Sequence, residues 1–182
     1  MAKAKHVVLG VTGSIAVYKA AELVRLMKAE GWDVSVVMTR AATEFVGELT
    51  FRTLSQNPVC LDMFERTDDW RPEHISLGER ADVYVIAPCT ANVLAKIAHG
   101  LADDLLTCTA LCSRGPIVVA PAMNERMWDH PATQANVRLL KERGVRIVDV
   151  GSGDLACGQK GRGRLADLDT IMASVRACVA GG

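Results

Sequence analysis

Cys157 is the first residue whose setting suggests chemistry. It stands in a stretch over residues 151–164 that holds five glycines in fourteen positions, and Lys160, Arg162 and Arg164 follow it closely. So many glycines favour a mobile lid over a packed core element. Neighbouring cations make a thiol easier to ionise, and so a usable proton donor or nucleophile. The stretch therefore predicts a reactive Cys157 on a lid, with an inert surface loop as the alternative.

A phosphate-binding pattern lies in the first strand-to-helix turn, where Gly13 and Ser14 stand between a strand over 6–11 and a helix over 15–30. Free backbone N–H groups and the helix dipole favour an anion there, Gly13 permits close approach, and Ser14 is a suitable N-cap. The turn has neither the G-x-G-x-x-G pattern nor a P-loop lysine, so a mononucleotide such as FMN fits better than NAD. A plain capped helix would show the same pattern. Thr39, at the end of the second strand, could add a phosphate hydroxyl or simply cap the next helix.

Three further polar side chains flank predicted strands. His74 precedes the third strand and could exchange protons near neutral pH, although a structural or solvated histidine looks the same in sequence. Asn92 follows the third strand and could meet a flavin ring or be a residue of the turn. Asn124 follows the fourth strand, and an amide beside apolar neighbours needs partners. It could hold a substrate carboxylate without adding charge, while Met123, Met127 and Trp128 suit a core stripe.

The elements that must position these residues alternate along the chain. Short apolar runs are followed by amphipathic stretches, which predicts a single-domain α/β fold over 1–182, a doubly wound (Rossmann-like, flavodoxin-like) parallel sheet with helices on both faces. Ligands gather at the carboxyl edge of such a sheet. The predicted strands are 6–11, 33–38, 83–87, 117–120 and 146–149, and the predicted helices are 15–30, 41–47, 49–56, 91–98, 103–112, 131–143 and 167–179.

The composition narrows the class of protein. Lys and Arg together number 21, as do Asp and Glu, and the resulting zero net charge argues against a nucleic-acid binder while permitting self-association. A signal peptide and a span of about twenty apolar residues are both missing from the sequence, which predicts a cytoplasmic protein with no membrane partner. The six cysteines form no Cys-x-x-Cys pair, so reduced thiols and no metal site are expected.

Taken together, these motifs resemble the FMN-dependent cysteine decarboxylase flavoproteins over nearly the whole chain. Residues 11–16 resemble that family's N-terminal FMN signature, and 121–128 match its Pro-x-Met-Asn-x-x-Met-Trp motif at every fixed position. Residues 88–92 are similar to its Pro-Ala-Ser-Ala-Asn-Thr motif, with departures at Cys89, Thr90 and Val93. His74 falls where the family places its active-site histidine. The segment 156–158 resembles the substrate clamp of the phosphopantothenoylcysteine branch.

The resemblance implies a set of site residues. The catalytic residues would be His74 as acid/base, Asn124 as carboxylate holder and Cys157 as proton donor. Substrate contacts would come from Asn124, Met127, Ala156 and Gly158. With Thr39 included, the FMN-binding set would be Gly13, Ser14, Ile15, Ala16, Thr39, Pro88, Cys89, Thr90, Ala91, Asn92 and Met123.

The resemblance also implies a reaction and an assembly. FMN would oxidise the thiol of 4′-phosphopantothenoylcysteine to a thioaldehyde, carbon dioxide would leave, and the flavin would return its hydride while Cys157 supplies a proton. The product would be 4′-phosphopantetheine, in coenzyme A biosynthesis. The family forms homotrimers, or larger assemblies of trimers such as a dodecamer, with the flavin at subunit boundaries and the histidine from a neighbouring chain.

Alternative functions stay open at this point. A lantibiotic-type peptidyl-cysteine decarboxylase would stop at the ene-thiol and should lack the clamp cysteine, whereas Cys157 is present. A flavin prenyltransferase has a related fold but not the Pro-x-Met-Asn motif. A non-catalytic regulatory subunit would carry acidic or low-complexity extensions. In many bacteria this decarboxylase is fused to a synthetase, so the chain could be a standalone enzyme or part of such a fusion.

Overall fold

The computed structural model describes residues 4–64, 71–154 and 160–181. Ala156, Cys157 and Gly158 lie outside these ranges, so their predicted roles stay predictions.

A parallel sheet forms the centre of the fold. Its strand order is β3-β2-β1-β4-β5-β6, and every neighbouring pair is parallel. The chain starts in the middle, winds outward to β3, and then fills the other half, which confirms the predicted doubly wound sheet and gives it the Rossmann order. The strands are β1 (His6–Val11), β2 (Asp33–Met38), β3 (Val59–Cys60), β4 (Val83–Cys89), β5 (Ile117–Pro121) and β6 (Arg146–Ile147).

Helices cover both faces of the sheet, and a hairpin of β7 (Gly151–Asp154) and β8 (Lys160–Arg164) pairs separately and antiparallel. The helices are α1 (Val17–Ala29), α2 (Arg40–Thr43), α3 (Glu48–Ser55), α4 (Glu73–Arg80), α5 (Ala91–His99), α6 (Leu105–Cys112), α7 (Glu125–Trp128), α8 (Pro131–Glu142) and α9 (Leu168–Gly181). Within the described ranges, no helix combines the length and apolar character needed to cross a lipid bilayer.

The core has two halves because side chains alternate along each strand. From β1, Val7 and Leu9 pack on the face covered by α1, α3 and α9, whereas Val8 packs on the face covered by α5, α6 and α8. Every residue of β1 and β4 is buried. The strand sequences therefore read as continuous apolar runs, as expected for a parallel sheet with both faces covered.

Several predicted boundaries were wrong. Helix α1 begins at Val17, and Ser14 is not its N-cap; the capping position is Ala16, which makes no side-chain cap bond. Ser14 lies in a preceding turn, where its carbonyl accepts a hydrogen bond from the Val17 N–H at 2.9 Å. That extra turn delays the helix. Strand β6 pairs over Arg146–Ile147 only, rather than over 146–149.

Four elements were missed: β3, α4, α7 and the β7–β8 hairpin. Strand β3 has 2 residues and α7 has 4, too few for a periodic pattern to emerge. The hairpin strands read GSGD and KGRGR. Their glycines led to the prediction of a lid without regular structure, but in the folded chain these residues pair with each other.

At the opposite, amino edge of the sheet, a buried histidine joins β1 to β2. His6 Nδ1 lies 2.9 Å from Asp33 Oδ2, and its Nε2 lies 3.3 Å from Ser35 Oγ. Burial lowers the pKa of His6, and the hydrogen bond to Asp33 only partly opposes this. Burial would raise the pKa of Asp33, but hydrogen bonds from Asn57 and His6 outweigh it and lower that pKa. His6 is therefore neutral at neutral pH and donates from Nδ1 to the carboxylate.

This network predicts a pH dependence of stability. A histidine whose pKa is lowered by folding stabilises the folded state fully above its ordinary value of 6.5 and loses that contribution as the pH falls below it. The pKa of Asp33 is also lowered, so Asp33 loses its contribution to stability only below its ordinary pKa of 3.8. The free energy of unfolding from urea titrations should therefore decline below pH 6.5 with a slope of up to about 1.4 kcal/mol per pH unit. A His6→Gln variant should be less stable, and its free energy of unfolding should change less with pH in that window. An equal slope in both proteins would contradict this.

Candidate active site

The carboxyl edge of the sheet brings together most of the predicted site segments. The turns after β1, β2, β4 and β5 carry Gly13 and Ser14, Thr39, residues 90–92, and residues 123–124 respectively. Because these strands are neighbours in the order β2-β1-β4-β5, their four turns are adjacent. The geometry therefore supports one continuous ligand site, as predicted for an open α/β sheet.

Thr12, which the sequence did not single out as a site residue, ties the first of these turns to the third. Its fully buried hydroxyl donates to the Pro88 carbonyl at 2.8 Å and accepts from the Thr90 N–H at 2.9 Å. A single side chain thus satisfies two buried backbone groups across 76 and 78 residues of sequence. The signal that could have identified it was a threonine between an apolar strand and a glycine, where no water would reach its hydroxyl.

Replacing Thr12 with Val should lower the free energy of unfolding by about 1–3 kcal/mol, since the Thr90 N–H would be buried without a partner. Valine has nearly the same shape, so little packing changes. Urea unfolding followed by circular dichroism would measure the loss. Thr12→Ser keeps the hydroxyl and is the matched control, expected to lose about 0.8 kcal/mol at most; similar losses in the two variants would contradict the role of the hydroxyl.

Gly13 packs the first turn against α2. A Cβ at this position would lie 2.9 Å from the backbone C and O of Ala41, so no larger residue fits. Thr39 stands at the start of the same helix, where its Oγ1 accepts from the Ala42 N–H at 3.3 Å. The N–H groups of Gly13 and Ile15 take no partner from the described part of the chain. Backbone and hydroxyl donors of this kind suit an anion, and the contact with the FMN phosphate predicted for these residues stays a prediction.

A cavity of about 400 Å³ opens beside Thr39. Its volume falls in the usual range for cofactor sites. One wall holds Arg40 paired with Asp62 at 2.8 Å, and the floor is apolar. None of its residues except Thr39 was predicted. It is lined by Met38, Thr39, Arg40, Leu61, Asp62, Met63, Phe64, Asp103, Asp104, Leu105 and Leu106.

The start of α6 lines the other side of the cavity, and ion pairs stabilise it. Asp104 is its N-cap in a capping box with Thr107, and Lys96 contacts Asp103 at 2.7 Å and Asp104 at 3.0 Å. Burial would raise the pKa of Asp104, but hydrogen bonds from Thr107 and Lys96 outweigh it and lower that pKa. The hydrogen bond to Asp103 is the main cause that raises the pKa of Lys96. Asp104 and Lys96 therefore both stay charged at neutral pH.

The turn after β4 offers backbone groups to a ligand, whereas its Cys89 thiol is buried. Cys89 is fully buried, its Sγ lies 3.6 Å from the Thr90 carbonyl, and burial raises its pKa so that it remains a neutral thiol. Thr90 caps α5 by accepting from the Val93 N–H at 3.4 Å. Ala91 and Asn92 follow, half-buried and exposed. Any ligand contact from Cys89 must therefore come from its main chain.

The turn after β5 holds Asn124 in a defined orientation. Its Oδ1 accepts from the Arg126 N–H at 2.9 Å and caps α7. That bond uses the carbonyl end of the amide, and the other end carries the N–H donors that a carboxylate requires. Met123 is half-buried, and Met127 is 49% exposed rather than part of the predicted core stripe. Trp128 does pack in the core.

The hairpin packs against this same turn. The Met123 N–H donates to the Gly163 carbonyl at 2.9 Å, and the Arg162 N–H donates to Glu125 Oε1 at 3.1 Å. Gly163 has φ 117°, and a Cβ there would collide with the Met123 carbonyl. Glycine is thus needed here for close approach. Strand β8 therefore lies directly against the segment that carries Asn124.

His74 lies elsewhere on the edge. It is the second residue of α4, and the Cys60–Glu73 contact of 3.7 Å ties the start of that helix to β3. Four strand spacings separate β3 from β5, which is roughly 19 Å at the usual spacing. The buried Nδ1 of His74 has no hydrogen-bond partner among the described residues. Within one chain, the structure does not bring His74 and Asn124 together.

Comparison with known proteins identifies the family of the chain. Residues 1–180 match the family described as Flavoprotein. The chain belongs to the Flavoprotein family. Among the curated relatives of this flavoprotein is a probable phosphopantothenoylcysteine decarboxylase of Streptococcus mutans serotype c, 44% identical over 94% of this chain and 97% of that protein. The coenzyme A biosynthesis bifunctional protein CoaBC of Mycolicibacterium smegmatis is 46% identical over 94% of this chain, which spans only 41% of that longer protein.

Solved structures confirm the flavoprotein fold. A mutant PPC decarboxylase in complex with pantothenoylaminoethenethiol superposes with a TM-score of 0.86 at 34% identity, covering 96% of this chain and 98% of that one. The FMN binding protein AtHal3 superposes with a TM-score of 0.83 at 33% identity, covering 99% of each chain.

Proposed function

We propose that this flavoprotein is an FMN-dependent phosphopantothenoylcysteine decarboxylase, which converts 4′-phosphopantothenoylcysteine to 4′-phosphopantetheine in coenzyme A biosynthesis. The observation that carries the proposal is the packing of β8 against the Asn124 turn, at the same sheet edge as the Gly13 turn and Thr39. That arrangement sets a carboxylate-binding amide next to the hairpin whose chain contains Cys157. The relative from Streptococcus mutans, matched over nearly its whole length, supports the same activity.

FMN would be held by the turns described above. The phosphate would bind the free N–H groups of Gly13 and Ile15 with the hydroxyls of Ser14 and Thr39. Ala16, the backbone at 88–92 and Met123 would complete the set along the same edge. When bound, FMN supplies a two-electron oxidation of the substrate thiol and later the return of those electrons. The apolar floor of the neighbouring cavity would help to exclude water from the reacting atoms.

The chain's own polar groups would orient the substrate and move protons. Asn124 would donate from its amide to the substrate carboxylate, with Met127 against the carbon chain. Ala156 and Gly158 would flank the substrate, and Cys157 would deliver a proton to the carbon left by decarboxylation. A neutral amide suits a carboxylate that must leave as carbon dioxide, because a cation would stabilise the charged reactant over the transition state.

We further propose a cytoplasmic homotrimer, alone or within a larger assembly, in which each site takes His74 from a neighbouring subunit as its acid/base. The support is the separation of roughly 19 Å between β3, beside which α4 starts, and β5, whose turn carries Asn124, because one chain then sets the two residues far apart. Exposed apolar side chains near the edge, Ile15 and Tyr18 at about three-fifths exposure, are suited to a subunit contact.

The test is to incubate the purified, FMN-loaded protein with 4′-phosphopantothenoylcysteine and follow carbon dioxide and product mass. The wild type should form 4′-phosphopantetheine, and Cys157→Ser should release carbon dioxide but accumulate an oxidised ene-thiol. A protein that holds FMN but leaves this substrate unchanged would contradict the proposal. Peptides ending in cysteine, tested in parallel, would then identify the peptidyl-cysteine alternative.

A further inference from the structure

Glu125 makes a contact that its place in the sequence motif does not explain, because its position in the Pro-x-Met-Asn-x-x-Met-Trp pattern admits any residue. Glu125 is the first residue of α7, where solvent and the helix dipole are enough to stabilise an acidic side chain. Instead it is half-buried, and its Oε1 accepts the Arg162 N–H at 3.1 Å. Backbone N–H bonds to a carboxylate are stronger than neutral ones.

Strand β8 passes directly over this carboxylate. A Cβ on Gly161 would lie 2.7 Å from Glu125 Oε2, so a larger residue there would have to displace the Glu125 carboxylate. A second bond, from the Met123 N–H to the Gly163 carbonyl at 2.9 Å, holds the neighbouring residue. Two bonds at consecutive residues of β8 fix both its position and its direction. With the bond to Glu125 removed, only the Met123–Gly163 bond of these two would hold β8 to the Asn124 turn, so the β7–β8 hairpin could shift relative to that turn.

We propose that Glu125 is a positioning residue, which aligns β8 with the Asn124 turn so that the protonation step proceeds on the bound substrate. The proposal rests on the proposed function, because Cys157 is joined to β8 through the chain. The proposed role of Glu125 includes no contact with the substrate or the cofactor. Its carboxylate acts only through the backbone of Arg162.

The two halves of the reaction should depend on Glu125 differently. Oxidation and loss of carbon dioxide require Asn124, which keeps its own cap bond to Arg126 whatever the side chain at 125. Protonation requires the hairpin in register. A turnover that fails at that step releases one carbon dioxide and one ene-thiol and leaves two electrons on the flavin, so atoms and electrons balance without another reactant.

The experiment compares Glu125→Ala, Glu125→Gln and Asp129→Ala as FMN-loaded proteins under anaerobic conditions. Glu125→Ala should raise the ratio of ene-thiol to 4′-phosphopantetheine by about tenfold, with parallel loss of the flavin's visible absorbance. Glu125→Gln keeps an acceptor oxygen and should stay within about twofold of wild type. Asp129 is exposed, and its carboxylate takes no hydrogen bond within the described ranges, so Asp129→Ala is the matched control. An unchanged ratio in Glu125→Ala, or equal ratios in the Ala and Gln variants, would overturn the proposal.

A double-variant cycle tests the same contact independently. Gly161→Ala should shift the product ratio in the wild-type background, but much less in Glu125→Ala, where the obstructing carboxylate is gone. Additive effects would overturn the coupling. Amide hydrogen exchange gives a readout without turnover: the Arg162 N–H should exchange faster in Glu125→Ala and not in Glu125→Gln. If wild type holds FMN but converts no substrate, the proposed function fails while this exchange result still decides the role of Glu125.

Discussion

Replacing Asn124 with Asp should lower kcat/KM for 4′-phosphopantothenoylcysteine by about 100-fold or more while FMN content stays unchanged. Aspartate caps a helix as well as asparagine does, so the bond from the Arg126 N–H that starts α7 is preserved. The substitution removes the amide donors and sets a negative charge against the substrate carboxylate. The loss would therefore report on substrate binding and orientation and not on folding.

The matched control for this substitution is Asn136→Asp, the same chemical change on α8. The Asn136 side chain contacts His99 at 3.0 Å, away from the carboxyl edge. Its kcat/KM should stay within about twofold of wild type. A comparable loss in both variants, or full activity in Asn124→Asp, would contradict the proposed role of Asn124.

Mixing two inactive variants should restore activity. His74→Ala and Asn124→Asp each lack one residue of the proposed site. In the proposed trimer each site takes these two residues from neighbouring subunits, in keeping with the roughly 19 Å between β3 and β5 within one chain. In trimers reassembled at random from equal amounts, about a quarter of the sites would combine an intact His74 with an intact Asn124 from the neighbour. The expected result is about a quarter of the wild-type rate from two proteins that are inactive alone.

The complementation needs exchange of subunits, which mass spectrometry of differently labelled chains would verify. The control is a doubly substituted chain mixed with either single variant, which can form no intact site. Mixed trimers that remain inactive would show that one chain supplies both residues. Activity in unmixed His74→Ala would instead remove His74 from the mechanism.

The local chemistry of the site was largely predictable. Gly13 must be small because α2 lies against it, whereas its predicted contact with a phosphate stays a prediction. Asn124 was identified because a lone amide among apolar residues needs partners, and its Oδ1 does take one. The catalytic and binding roles of these residues stay predictions until the variants are measured. The residues missed, Thr12, Glu125 and the Lys96 pair with Asp103 and Asp104, all act through partners distant in sequence or across a loop.

Residue types and their spacing were enough to predict three features: the alternation of strands and helices, the position of the site at the carboxyl edge of the sheet, and the residue types on each turn. Periodicity and turn chemistry are local properties, so they can be read without coordinates. Two features appear only in the folded chain: β8 packs on the Asn124 turn, and His74 lies away from that turn. Both outcomes depend on strand order and on close backbone approach, which arise from contacts between segments that no local pattern encodes. The same strand order gathers four turns at one edge and sets the start of α4, which carries His74, beside β3 at the far end of that edge.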